Sequence, residues 1–199
     1  MLNCWLCASL PLYNILTTQH PNNINMNYFD YFDIKSAFLL DEADLKKRFL
    51  RNSKKFHPDF HTLENEEKQA EILEQATLNT EAYKTLSDFD TRMDYLLDLK
   101  GLKKEEGKEK MPQDFLVEMM EINEALMELE FDFDEKIYQK VVAEVEALEK
   151  NNFSSIEKIL QHFDNEQTTY EDLQKIKIFY LKKKYLLRIQ KTCRKFAPQ

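Results

Sequence analysis

The chain has 199 residues, 43% of them hydrophobic, enough to bury two modest cores. Its net charge of −8 disfavours a nucleic-acid binder, because phosphate contacts need a concentrated basic surface. Three scattered cysteines, Cys4, Cys7 and Cys193, argue against a disulfide framework and fit a reducing cytosol.

Residues 1–26 form an N-terminal extension that joins neither of the domains predicted after it. Cys4-Trp5-Leu6-Cys7 has the spacing of half a zinc knuckle, but Cys193 is the only other cysteine. Two ligands do not close a tetrahedral site, so no metal is expected there. The segment lacks the basic start of a secretory signal and the arginines of a mitochondrial one, and its apolar runs are too short to span a bilayer. Met26 offers a second start of translation; the sequence leaves open whether residues 1–25 are used.

Tyr28-Phe29 with Tyr31-Phe32 reads as a short aromatic helix. Asp41 caps a second helix running from Glu42 to Phe56, whose early acids suit the positive N-terminal end. Leu45, Phe49 and Phe56 fall within about 40° on that helix, with Lys47, Arg51 and Lys54 on the opposite side. Pro58 has no N–H and biases His57 away from helical geometry, so the chain must turn at His57-Pro58-Asp59. From about Glu64, Ile72, Ala76, Asn79, Tyr83 and Leu86 recur on one face of a long helix. The two helices make an antiparallel hairpin with the tripeptide at its exposed tip. A metal site formed by His57, Asp59 and His61 is disfavoured, because the proline intervenes and no further ligand is near in sequence.

Both glycines of the chain, Gly101 and Gly107, lie in a polar run that ends at Lys110, which marks residues 101–112 as a linker. Beyond it the charge segregates. Residues 105–149 hold fifteen acids against four lysines, and 175–195 hold nine Lys or Arg and no acid. Opposite charges on separate helices favour their antiparallel packing, although exposed pairs contribute under about 1 kcal/mol each. After Pro112, Phe115, Met119, Ile122, Leu126 and Leu129 share an arc of about 80° that can face a bundle core. Leu116, Met120 and Met127 form a second, displaced stripe flanked by Val117, Glu121, Glu124 and Glu128. Periodicity alone leaves that stripe either buried against a further helix or exposed as a docking patch. Ile137, Val141, Val145 and Leu148 continue in register to Ile156, Ile159, Leu160 and Phe163, which favours one long helix across Asn151-Asn152. The chain turns at Asp164–Thr168, and a last helix runs to about Lys195. The fold class is all-α: an N-terminal hairpin domain over 27–100, the linker over 101–112, and a three-helix bundle over 113–199.

Residues 27–101 resemble the J domain of HscB, the specialised J protein of iron–sulfur cluster assembly. The matching strings are Tyr28-Phe29, Phe56-His57-Pro58-Asp59-Phe60, Asn79-Thr80-Glu81-Ala82-Tyr83-Lys84-Thr85-Leu86 and Arg92-Met93-Asp94-Tyr95-Leu96-Leu97. General J domains share the tripeptide but usually lack the last run. Phe115-Leu116-Val117-Glu118-Met119-Met120-Glu121-Ile122-Asn123-Glu124 is similar to the HscB segment that docks the cluster scaffold. Longer eukaryotic relatives carry a CWxC element near their start with a second cysteine pair, which this chain lacks.

The resemblance implies a co-chaperone with no active site and no cofactor. Lys47, Arg51, Lys54, His57, Pro58 and Asp59 would contact an HscA-like chaperone of the DnaK class and bias it toward ATP hydrolysis. Leu116, Val117, Met120, Glu121, Glu124, Glu128 and, by a looser match in the last helix, Tyr180 would contact an IscU-type scaffold. Leu50 stands where general J domains often carry lysine, which narrows or weakens the chaperone contact. No nucleic acid and no membrane is expected as a partner. The expected location is the cytoplasm, or the mitochondrial matrix in a eukaryote. The alternative is a J-domain co-chaperone for other client proteins.

Overall fold

The computed structural model describes residues 26–102 and 111–196. The Cys4–Cys7 motif, Gly107 and most of the predicted linker lie outside the described residues. Seven α-helices and no strand occur among the described residues: α1 (Tyr28–Tyr31), α2 (Glu42–Lys55), α3 (Glu66–Ser87), α4 (Phe89–Leu99), α5 (Gln113–Phe131), α6 (Glu135–Gln161) and α7 (Tyr170–Cys193). The all-α expectation holds.

Helices α2 and α3 form the predicted hairpin. The Asp41 carboxylate accepts from the backbone N–H groups of Ala43 (2.9 Å) and Asp44 (3.1 Å), which satisfies donors left open in the first turn. Phe49 stacks on Tyr83 with ring centroids 4.2 Å apart. The buried Asn79 of α3 donates through Nδ2 to the Phe49 carbonyl (3.2 Å) and the Ser53 hydroxyl (2.9 Å). One polar side chain thus fixes the register of two otherwise apolar faces. The long helix starts at Glu66, with Asn65 as its cap, because the Asn65 side chain accepts from Lys68 N–H.

The break between α3 and α4 is a feature the periodicity does not reveal. Asp88 ends one helix and caps the next, its carboxylate accepting from Thr91 N–H at 2.8 Å. That bond holds the Asp88 carboxyl below the usual carboxylate range. Helix α4 stops at Gly101, which sits at φ +66°, with Gly101 N–H bonded to Asp98 O and Leu102 N–H to Leu97 O. This is a Schellman turn, and the buried Leu102 supplies its apolar closure.

Helices α5, α6 and α7 form the three-helix bundle. Phe115, Met119, Ile122, Leu126 and Leu129 all face its core, joined by Val141, Val145, Leu186 and Ile189. Helix α6 runs unbroken through Asn151-Asn152, where Asn152 Nδ2 donates to Phe179 O of α7 at 3.1 Å. The other core is not confined to the hairpin. Phe29, Phe38, Leu86, Met93 and Leu96 pack in one cluster with Ile156 and Leu160 of α6 and with Ile176, Phe179 and Tyr180 of α7. Phe38 meets Phe163 edge-on at 4.7 Å, Lys183 pairs with Asp90, and Lys100 Nζ donates to Asn165 O at 3.2 Å. The hairpin region and the bundle are therefore joined by buried apolar contact as well as by the linker.

Candidate functional site

The hairpin tip is held by its own short-range bonds. His57 takes the extended conformation that Pro58 demands (φ −73°, ψ 124°), and residues Pro58–Phe60 form a single 3-10 turn. The Asp59 N–H donates to His57 Nδ1 at 3.3 Å, and the Phe60 ring lies 5.5 Å from the imidazole. His61 Nε2–H donates to the Lys55 carbonyl at 2.9 Å, which pins the loop to the end of α2. The side chains of His57 and Asp59 remain in solvent, 50% and 82% exposed. An ordered loop thus presents two exposed polar groups, as a recognition element needs. His57, Asp59 and His61 do not converge as a metal-ligating group, and no such group of three occurs among the described residues.

Lys47, Arg51 and Lys54 are all exposed on α2, on the side away from buried Leu45. Leu50 is exposed beside them. Arg48 is a different kind of basic residue, lying about 60° from Leu45 on the helix and so off the Lys47/Arg51/Lys54 side. It bonds Asp44 at 2.7 Å and the carbonyls of Phe32 and Asp33 at 2.8 Å, so it braces the loop before α2. A cavity of about 320 Å³ opens next to the tip between Pro58, Asp59, His61 and the Gln69–Leu73 turn of α3.

On α5 the structure resolves the question that periodicity leaves open. Leu116 and Met120 are 40% and 62% exposed, and Val117, Glu121, Glu124 and Glu128 are exposed around them. The second stripe is a surface, rimmed by carboxylates.

Tyr180 does not join that surface. It is 8% exposed, lies in the core shared by hairpin and bundle, and donates its hydroxyl to Asp90 O at 3.3 Å. Burial, reinforced by nearby Asp94 and Asp90, raises its phenol above the ordinary range. A side chain so placed is a structural strut between α7 and α4. Of the residues expected at the scaffold contact, Tyr180 is thus the buried one, and the six on α5 are exposed.

A hairpin with an exposed His-Pro-Asp tip, joined to a helical bundle, is the architecture of a J-type co-chaperone. The match extends along the chain. The family described as "HSCB C-terminal oligomerisation domain" matches residues 111–194. The co-chaperone protein HscB of Buchnera aphidicola (subsp. Acyrthosiphon pisum, strain Tuc7) is 31% identical over 168 residues, covering 84% of this chain and 80% of that protein. The iron–sulfur cluster co-chaperone HscB of Homo sapiens is 31% identical over 154 residues, covering 77% of this chain and 64% of that protein. The crystal structure of human co-chaperone HscB superimposes with a TM-score of 0.67 at 25% identity, covering 96% of this chain and 93% of that one. The chaperone HscB from Vibrio cholerae gives 0.55 at 26% identity over 83% and 98%. The chain belongs to the HscB family of co-chaperones. No helix among the described residues is long and apolar enough to cross a membrane.

Proposed function

We propose that this protein stimulates the ATPase of an HscA-like chaperone of the DnaK class and delivers an IscU-type scaffold to it during iron–sulfur cluster assembly. The observation that carries the proposal is the pairing of two exposed surfaces on one chain. One is the His57-Pro58-Asp59 tip with its basic helix face; the other is the Leu116/Met120 stripe with its glutamate rim.

Each surface suits its partner physically. Lys47, Arg51 and Lys54 steer the tip toward an acidic chaperone surface, a contribution that weakens with added salt. On α5, the apolar side chains supply affinity by burial, and Glu121, Glu124 and Glu128 set orientation against basic residues of the scaffold. The shared core holds both surfaces on one connected body, which raises the concentration of scaffold near the chaperone's substrate site. The chain contributes positioning, and the bond-breaking chemistry belongs to the chaperone. Its place of action is the cytoplasm, or the mitochondrial matrix in a eukaryote.

The test is the steady-state ATPase of the chaperone, titrated with this protein in the presence and absence of scaffold. Leu116→Ala/Met120→Ala is expected to keep scaffold-free stimulation and to lose most of the scaffold-dependent increment. An unchanged increment would remove α5 from scaffold delivery.

A further inference from the structure

The exposed face of α5 continues past the segment similar to the scaffold-docking one. Met127 is 60% and Phe131 is 90% exposed, and at 100° per residue they fall with Leu116 and Met120 in an arc of about 60°. Phe133, in the loop that follows, is also exposed and rests against Tyr138 with ring centroids 5.9 Å apart. A phenylalanine this exposed at the end of a well-packed helix is unexplained by the bundle, whose core is already filled by Leu126 and Leu129.

Size and direction indicate what covers it. Leu116 to Glu128, the α5 residues already assigned to the contact, span only about 18 Å along the helix. A stable interface buries about 800 Å² on each partner, a patch about 28 Å across. The contact must therefore extend beyond that segment. Tyr180 offers no sideways extension toward α7, because it is buried. Extension along α5 to Phe131 gives a face about 22 Å long, with apolar pairs at its two ends and Asn123 and Glu124 between them.

The charges choose the occupant. Exposed Glu124 and Glu128 flank the added stretch along α5 and Asp132 follows Phe131 directly, which disfavours an anionic lipid surface. Two copies pairing this stripe about a two-fold axis would set acid against acid. A partner with an apolar ridge and basic flanks fits. We propose that the scaffold-docking face runs the full length of α5, with Met127 and Phe131 as apolar anchors at its far end. This rests on the reading of α5 as the scaffold-docking helix.

The experiment is calorimetric titration of the full chain with the cognate scaffold protein, accompanied by sedimentation of each chain alone. Met127→Ser/Phe131→Ser and Leu116→Ala/Met120→Ala are compared with the unaltered chain; all four positions are exposed, and circular dichroism checks the fold. Both variants are expected to bind roughly tenfold or more weakly, with sedimentation unchanged. If only Leu116→Ala/Met120→Ala weakens binding, the docking helix stands and its extension is wrong. If neither does, the docking reading itself fails. If Met127→Ser/Phe131→Ser instead lowers the chain's own sedimenting mass at unchanged scaffold affinity, the stretch is a self-association face and the proposal is overturned.

Discussion

His57→Gln is expected to lower stimulation of the chaperone ATPase by roughly tenfold or more while leaving stability and scaffold affinity unchanged. The imidazole is exposed, and its polar contact stays within the tip, Nδ1 accepting from the Asp59 N–H at 3.3 Å. Losing such contacts affects the folded chain little, since loops of this kind contribute few buried contacts. A glutamine side chain keeps a polar end but has neither the ring that meets Phe60 nor the imidazole nitrogen placed for Asp59 N–H. Steady-state ATPase measures the first effect; urea unfolding and scaffold titration measure the other two. Stimulation equal to that of the unaltered protein would remove the tip from the mechanism.

Arg92→Met is expected to have the largest effect on stability, a loss of about 2–4 kcal/mol seen as a lower urea midpoint with unchanged slope. Arg92 is 3% exposed and donates to the carbonyls of Phe38 (2.9 Å) and Leu86. Its guanidinium is pushed below its ordinary range by burial, against the opposing pull of Glu42 and Asp88. Methionine fills much of the same volume but strands both carbonyls without a donor, and a buried unpaired polar group costs about 1–3 kcal/mol. Relief of the buried charge offsets part of that loss. Arg92→Lys is expected to recover little, because one ammonium cannot reproduce a planar fork that reaches two acceptors. A midpoint for Arg92→Met within error of the unaltered chain would show that these bonds are dispensable.

Features governed by local chemistry were readable in the sequence. Asp41 and Pro58 bracket α2 because a cap and a missing N–H act within a few residues. The core arc of α5 and the continuity of α6 follow from spacing alone. What was not readable depends on distant partners. Nothing near Arg92 announces that its fork will meet Phe38, 54 residues earlier. Tyr180 looked available because its contact with Asp90 crosses 90 residues. The exposure of Leu116 and Met120 was equally non-local: it depends on α7 taking the Phe115 face of α5 and leaving the other uncovered.

On the proposed function, the two surfaces act together because one chain carries both. The direct test mixes His57→Gln with Leu116→Ala/Met120→Ala in equal amounts and measures scaffold-dependent stimulation of the chaperone ATPase. One variant then holds only the docking face, the other only the tip. The mixture is expected to give no more scaffold-dependent stimulation than Leu116→Ala/Met120→Ala alone. Recovery to the level of the unaltered protein would contradict it, since the two surfaces would then work equally well on separate molecules.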